Sequence, residues 1–254
     1  FSRIAAQKIA ARNGRRDATS QFGTNPCSEI ILRPYQFCNL SEVIVRADDT
    51  LQTLKEKVRV ATILGTLQAT LTDFRYLRNI WKKNTEEEAL LGVSMTGIMD
   101  CKLTNGSTGE AALGKLLSTL RGVAVETNKH WAEALGINQS VAITCVKPSG
   151  TVSQLTDSAS GIHPRFSEYY IRTVRADKKD PLATAMIEAG FSHEEDVMNN
   201  SNWVFAFPQK APEKAITVES MGAMEQLRLW KTYQDSWCEH KPSMTCYYND
   251  DNFF

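Results

Sequence analysis

The sequence predicts an α/β fold, in which short apolar strands alternate with long amphipathic helices along 254 residues. Apolar residues recur at three- and four-residue spacing in long stretches, as they do on the buried face of a helix. Between these stretches lie short runs of aliphatic and β-branched residues, which are typical of strands. Strands separated by long helices favour parallel pairing in a sheet or barrel.

The N-terminal half opens with a loop and two short strands before its first long helix. Residues 23–28 are rich in turn-forming glycine, asparagine and proline and predict the loop. Aliphatic residues at 30–32 and 43–45 predict the two strands. Apolar residues in 53–81 recur every three or four positions, which predicts one continuous helix.

The remainder of the chain repeats this alternation. Short apolar or alternating runs predict strands at 90–95, 141–146, 169–174, 203–207 and 243–248. Helical spacing predicts helices at 113–135, 181–189 and 219–237. Gly136 and Gly190 follow two of these helices, and Gly136 is expected to cap the first of them at its C-terminal end.

The charge balance argues against one class of function. Lys and Arg together number 29, as do Asp and Glu, so the formal net charge is zero. A sequence-independent nucleic-acid binder needs a basic excess, and this chain has none. No apolar run is long enough to span a membrane. Neither nucleic acid nor membrane is therefore an expected partner.

Both ends of the sequence predict a fragment. The first residue is Phe1 rather than methionine, and charged residues interrupt the first sixteen, which excludes a signal peptide. The last residues, from Tyr247 to Phe254, are typical of a strand without a cap. We therefore expect a piece of a longer, cytoplasmic protein.

The cysteines are Cys27, Cys38, Cys101, Cys145, Cys238 and Cys246. They show neither CxxC spacing nor a close histidine partner suited to a zinc site, so no metal site is predicted. Without a secretion signal, a disulfide framework is not expected. Most of these thiols are expected to be free and buried, and Cys27 and Cys38 are the exceptions because of the residues around them.

Residues 25–29 read Asn-Pro-Cys-Ser-Glu and follow the predicted loop glycine. In an extended segment, positions two apart face the same side, which predicts that Asn25, Cys27 and Glu29 point into one pocket. A thiol beside a carboxylate and an amide suits radical or acid–base chemistry. For this triplet alone, a loop cysteine next to ordinary turn residues is the more common explanation. Cys38 comes eleven residues after Cys27, which allows a shared site but does not determine a redox pair.

Residues 147–153 read Lys-Pro-Ser-Gly-Thr-Val-Ser and follow a predicted strand. Backbone N–H groups and hydroxyls at a strand end can bind a phosphate. The run is weaker than a P-loop, because Gly150 is its only glycine and the lysine comes first. A polar turn explains it equally well.

Together these runs resemble ribonucleotide reductase. Residues 25–29, 38–41 and 147–153 have the order and separations typical of that family. The stretch 161–182 resembles most the adenosylcobalamin-dependent triphosphate reductases of the monomeric type. The resemblance covers nearly the whole chain. It implies that residues 1–254 are the C-terminal part of a ten-stranded α/β barrel, whose central finger loop carries the catalytic cysteine.

The resemblance also implies roles for individual residues. Cys27 matches the cysteine that becomes a thiyl radical and removes the 3′ hydrogen of the ribose. Glu29 matches the base that accepts the 3′-hydroxyl proton, and Asn25 matches the amide that orients the sugar. Cys38 matches one of two reducing thiols that end as a disulfide. In the family its partner lies upstream of the radical cysteine, where this sequence has no cysteine.

Phosphate contacts, a cofactor and partners follow from the same resemblance. The implied phosphate-binding residues are Pro148, Ser149, Gly150, Thr151, Val152 and Ser153. The implied cofactor is adenosylcobalamin and the implied substrate is a ribonucleotide, expected to be a triphosphate. A thioredoxin-type reductant and the N-terminal portion of the same enzyme are the expected partners, in deoxyribonucleotide synthesis for DNA replication.

Two alternatives remain open. The first is a fragment of a class I large subunit, which receives its radical from a metal-containing partner through a tyrosine pair. Tyr247 and Tyr248 are adjacent in the last predicted strand, although ordinary packing explains them about as well. The second is a catalytically silent fragment that binds nucleotide, which fits the absent partner cysteine.

Overall fold

The structure, a computed structural model, describes residues 3–247. The chain divides into two units. Unit 1 runs to Arg165 and resumes at Glu213, and unit 2 is Phe166–Pro212. No helix among the described residues is both long and apolar enough to cross a membrane.

Helices and strands follow each other along the described chain, which confirms the predicted α/β class. The helices are α1 (Arg3–Ala11), α2 (Leu51–Gln68), α3 (Asn79–Glu88), α4 (Glu110–Leu135), α5 (Val152–Leu155), α6 (Pro181–Glu188) and α7 (Ala223–Ser236). The strands are β1 (Gly23–Thr24), β2 (Ile31–Leu32), β3 (Asn39–Ile44), β4 (Leu91–Thr96), β5 (Tyr169–Asp177), β6 (His193–Glu195) and β7 (Asn202–Lys210).

The centre of unit 1 is a parallel arrangement around β4. Strand β3 pairs with β4 in parallel, from Asn39 opposite Leu91 to Ile44 opposite Thr96. On its other side, Val93 forms a parallel bridge with Thr144. Every residue of β4 is buried, as expected for a central strand of a parallel sheet. The predicted strand 141–146 is thus present only as isolated bridges.

The helix predicted over 53–81 is two helices. Helix α2 ends at Ala69, whose N–H donates to the carbonyl oxygens of Gly65 and Leu67, and α3 begins only at Asn79. The hydroxyl of Thr70 donates to the Leu67 carbonyl at 2.7 Å, a local bond that competes with helix continuation. Leu71 is 72% exposed, so the apolar periodicity in this segment does not mark a buried face.

The other long helices agree better with the sequence. Helix α4 ends where predicted, because Gly136 adopts a left-handed conformation with φ of 68° and caps it. The helix predicted at 219–237 is α7, preceded by a short 3-10 turn at Val218–Ser220. Helices α2, α4 and α7 bury their apolar faces in the core of unit 1, whose largest side chains include Trp237, Tyr233, Leu54, Leu91, Met95 and Leu113.

Unit 2 departs from the parallel pairing that the sequence predicts. Its sheet has the order β5-β7-β6, and both pairings are antiparallel. The two nine-residue strands β5 and β7 pair along their whole length, from Tyr169 opposite Lys210 to Asp177 opposite Asn202. Helix α6 begins at Pro181 and is capped by the Asp180 side chain, close to the predicted range.

The last predicted strand, 243–248, is not formed by the described residues 243–247. The neighbouring Pro242 forms a parallel bridge with Val146 instead. Tyr248, together with Phe253 and Phe254, lies outside the described residues, so the predicted tyrosine pair stays a prediction.

Candidate active site

The first candidate run lies in a hairpin loop. Strands β1 and β2 pair antiparallel, with Gly23 opposite Leu32, and the loop of residues 25–30 between them is called the cysteine loop below. The Ser28 N–H donates to the Asn25 carbonyl at 2.9 Å and closes a turn. The Asn25 side-chain oxygen accepts the Ile30 N–H at 3.0 Å. The asparagine therefore holds the loop in shape.

The turn separates side chains that an extended segment would have aligned. Cys27 is exposed, whereas the side chain of Glu29 is fully buried. Both residues nevertheless interact electrostatically with Lys147. The cysteine loop thus brings Cys27 and Glu29 to one lysine, although the two side chains are not on a common extended face.

Glu29 and Lys147 form the central contact of the candidate site. The Lys147 ammonium donates to Glu29 Oε1 with an Nζ–Oε1 distance of 2.6 Å. The second oxygen, Glu29 Oε2, is buried and has no hydrogen-bond partner among the described residues. Burial lowers the pKa of Lys147, but the hydrogen bond and negative charge of Glu29 outweigh it and raise the pKa above its usual value. Lys147 therefore stays charged at neutral pH.

Residues 241–243 fasten both partners of this ion pair. The Lys241 N–H donates to the Glu29 carbonyl at 3.0 Å, and the Lys241 carbonyl accepts the Val146 N–H at 3.2 Å. The Ser243 N–H then donates to the Val146 carbonyl at 2.9 Å. The backbones of Glu29 and of the residue before Lys147 are therefore joined through one short segment.

His240 attaches the hairpin to the central strand. Its Nδ1 accepts the Ile31 N–H at 3.3 Å, so Nε2 carries the proton and donates to the Leu91 carbonyl at 2.9 Å. Burial, with a smaller contribution from the charge of Arg16, lowers the pKa of His240 to about 3. The imidazole is therefore neutral in the folded chain throughout the ordinary pH range.

This burial predicts a loss of stability in acid. Unfolding restores the ordinary histidine pKa of 6.5, so only the unfolded chain takes up this proton between pH 6.5 and about 3. The contribution is complete above pH 6.5 and falls with decreasing pH, by about 2 kcal/mol between pH 7 and 5. Urea unfolding at both pH values should show a smaller pH dependence in His240→Gln. The exposed His193→Gln serves as the control, and equal pH dependence in all three proteins would contradict the buried neutral imidazole.

Cys27 lines an open cleft of about 400 Å³. Its other walls are Ser28, the α7 side chains Leu227 and Trp230, and residues 241–244. The Trp230 indole N–H donates to the Pro242 carbonyl at 3.0 Å, which fixes the orientation of the ring. The thiol therefore faces a largely apolar groove that a small molecule can enter.

Cys38 lies one residue before β3 and is partly exposed. Desolvation of its thiol raises the pKa above the usual value, although the charges of Arg16 and Lys147 act in the opposite direction. All six cysteines are free, and only three are buried. The Cys145 N–H donates to the Val93 carbonyl of β4 at 3.0 Å, and its thiol interacts electrostatically with Cys38.

The second candidate run, residues 147–153, forms a turn that leads into α5 and is called the serine loop below. Ser149 has a left-handed φ of 54°, and its hydroxyl donates to Glu42 Oε2 at 2.7 Å. Burial raises the pKa of Glu42, while hydrogen bonds from Ser149 and Ser94 act against this. Gly161 packs behind the loop, since a Cβ there would lie 2.3 Å from the Lys147 carbonyl oxygen.

The structure therefore joins most of the predicted residues but adds others. Asn25, Cys27 and Glu29 share the cysteine loop, and Lys147 links them to the serine loop. Sequence reasoning missed His240, Lys241 and Glu42. No local motif marks these three, because each is placed by a contact that is distant in sequence. Glu42 and Ser149 are 107 positions apart, His240 and Ile31 are 209 apart, and Lys241 and Glu29 are 212 apart.

The chain has relatives among known proteins. No protein-family model matches the chain. The "Adenosylcobalamin-dependent ribonucleoside-triphosphate reductase" of Lactobacillus acidophilus is 28% identical over 256 residues, covering 90% of this chain and 34% of that protein. The "Probable adenosylcobalamin-dependent ribonucleoside-triphosphate reductase" of Dictyostelium discoideum is 31% identical, covering 96% of this chain and 31% of that protein.

A solved structure of a ribonucleotide reductase also matches the fold of the chain. The crystal structure of a B12-dependent class II ribonucleotide reductase superimposes with a TM-score of 0.75 at 26% identity, covering 90% of this chain and 35% of that one. The chain spans about a third of the length of these relatives. By sequence and by structure, it is thus related to ribonucleotide reductase catalytic chains and resembles those of the adenosylcobalamin-dependent, triphosphate-reducing type.

Proposed function

We propose that this chain provides the radical-bearing part of an adenosylcobalamin-dependent ribonucleoside-triphosphate reductase. One observation carries the proposal. The cysteine loop presents an exposed thiol, and Glu29 of the same loop contacts Lys147, the first residue of the serine loop. A radical cysteine, a base and a phosphate site must surround one nucleotide, and these two loops lie against each other.

Cys27 and Glu29 act on the same ribose in this proposal. The Cys27 thiyl radical takes the 3′ hydrogen atom of a nucleotide bound between the cysteine loop and the serine loop. Glu29 Oε2, which is buried and without a partner among residues 3–247, accepts the 3′-hydroxyl proton. Asn25 orients the sugar through its amide group.

Cys38 supplies one of the two reducing hydrogens. Its raised pKa keeps the thiol protonated at neutral pH, which is the form that carries a hydrogen to the substrate. The second thiol of the family lies upstream of the radical cysteine, where this sequence has no cysteine. A thioredoxin-type protein then reduces the resulting disulfide.

The serine loop binds the substrate phosphates. Its candidate contacts are the hydroxyls of Ser149, Thr151 and Ser153 and the backbone of Pro148, Gly150 and Val152. Around Gly150 there is no atom within 4 Å of a hypothetical Cβ, so a phosphate can approach the backbone. Protonation of Glu42, which its raised pKa favours, would reduce repulsion of that phosphate.

The exposed Cys27 thiol opens onto the cleft beside Leu227, Trp230 and Met244, and adenosylcobalamin, which is larger than this cleft of about 400 Å³, would have to bind across its mouth. Bound there, it would supply the radical that Cys27 takes up. In the complete enzyme, the β1–β2 hairpin would be the finger loop of a ten-stranded barrel in the cytoplasm. Residues 1–254 would form the C-terminal part of that barrel domain, and an N-terminal portion would complete it.

Nucleotide reduction tests this proposal directly. The chain is combined with the remaining two thirds of a class II relative and assayed on ribonucleoside triphosphates with thioredoxin, with and without adenosylcobalamin. Activity that requires the cofactor is expected. Activity that appears only with a metal-containing partner subunit would move the chain to class I. A folded assembly that is inactive with both would favour a silent nucleotide-binding fragment.

A further inference from the structure

The ion pair between Lys147 and Glu29 uses only one of the two oxygens of a buried carboxylate. A buried carboxylate usually satisfies both oxygens, because an unpaired buried polar atom costs free energy. Here Oε1 is held by Lys147 at 2.6 Å, whereas Oε2 is buried without a partner among the described residues. The lysine therefore neutralises the carboxylate and leaves one oxygen free.

Lys147 is itself rigidly placed. Its backbone N–H donates to the hydroxyl of Ser94, a residue of β4, at 2.9 Å. Its carbonyl packs against Gly161, where φ is +57° and a Cβ would not fit. The preceding Val146 is bonded to Lys241, which is bonded to Glu29. The backbone thus sets the distance between the ammonium and the carboxylate before any substrate binds.

A lysine at the start of a phosphate-binding turn could instead contact the phosphates, as the lysine of a P-loop does. The side chain points elsewhere in this structure, since its short contact is to Glu29. Glu42, the other nearby carboxylate, accepts hydrogen bonds from Ser149 and Ser94 and interacts with the ammonium only through its charge. The hydrogen bond of the Lys147 ammonium is therefore to Glu29.

We propose that Lys147 is a positioning residue, which holds Glu29 by Oε1 so that Oε2 faces the substrate as the proton acceptor. The inference rests on the proposed function and adds a residue to it. In the reaction, the proton of the 3′-hydroxyl moves to Oε2, while Lys147 keeps its own three protons and remains bonded to Oε1.

Two measurements test this role. The first is a kcat and KM comparison in the completed assembly, using Lys147→Met, Lys147→Arg and the exposed Lys102→Met as a charge control. Lys147→Met should lower kcat about a hundredfold and change the nucleotide KM less than about threefold. Lys147→Arg should recover most of that loss. Adding Lys147→Met to Glu29→Gln should cause little further loss, because the two residues act as a unit.

The second measurement needs no activity. In the protein labelled with 15N-lysine, the Lys147 ammonium resonance is identified by its loss in Lys147→Arg. It should shift strongly or exchange with water in Glu29→Gln and change less in Glu42→Gln, which removes a charge but no hydrogen bond to the ammonium. An unchanged resonance in Glu29→Gln, or a raised KM with normal kcat in Lys147→Met, overturns the inference. An unmutated assembly that reduces no nucleotide, with the ammonium resonance intact, overturns the proposed function and the role of Lys147 with it.

Discussion

Replacing Cys27 by serine is expected to abolish nucleotide reduction, by at least about a thousandfold, without destabilising the chain. The hydroxyl of serine does not form a radical under conditions in which a thiol does, so the 3′ hydrogen cannot be removed. The thiol is exposed, and its replacement by a smaller polar group leaves no cavity in the core. Turnover in the completed assembly and the urea unfolding midpoint are measured side by side.

Cys246→Ser is the matched control. Cys246 is a partly exposed cysteine of the same unit, whose Sγ lies 3.7 Å from the Ala223 carbonyl oxygen, and it has no role in the proposed chemistry. It should retain activity and stability. Substantial turnover in Cys27→Ser would exclude this residue as the radical cysteine. A loss of activity in both variants would mean that the effect is not specific to Cys27.

The sequence was most informative where local chemistry determines the structure. Gly136 ends α4 because a left-handed residue is needed there, and glycine supplies it. The parallel pairing of β3 with β4 follows from the helices α2 and α3 between them, since parallel strands need a crossover connection. The apolar periodicity gave a wrong prediction of one helix in 53–81. Apolar residues at helical spacing do not reveal which of them are exposed, and Leu71 is one that is exposed.

The candidate site shows the same division. The runs that contain Cys27 and Ser149 were visible as local patterns, and so was their turn character. That Glu29 contacts Lys147, 118 residues later, depends on how the hairpin and the central strands pack. His240 and Lys241 contribute mainly through such packing. A histidine that holds a hairpin in place has no sequence signature, because any element brought to that position could provide it.

A second buried ion pair, between Arg165 and Asp100, holds the segment that packs against the serine loop. Arg165 donates to both oxygens of Asp100, through Nε and Nη2 at 2.9 Å each, and both side chains are only 3% exposed. Asp100 Oδ2 also accepts the Ala159 N–H at 2.7 Å. Two residues further on, Gly161 packs against the Lys147 carbonyl. The pair therefore fixes the segment on which the serine loop rests.

Asp100→Asn should lower the free energy of unfolding by about 3 to 5 kcal/mol, because it removes the buried carboxylate that pairs with the Arg165 guanidinium. Asp157→Asn is the matched control. Asp157 also contacts Arg165, at 3.2 Å, but its side chain is 70% exposed, so its loss should cost less than about 1 kcal/mol. Urea unfolding of the three proteins measures both values.

The same substitution connects stability to the site. If Asp100→Asn loosens the segment 159–161, the serine loop loses its backing, and the nucleotide KM should rise in the completed assembly while kcat changes less. This is the reverse of the effect expected for Lys147→Met, although both residues border the same loop. Equal unfolding free energies for Asp100→Asn and Asp157→Asn would contradict the buried pair as the support. A lowered kcat with normal KM would instead tie Asp100 to the position of Glu29, through Lys147.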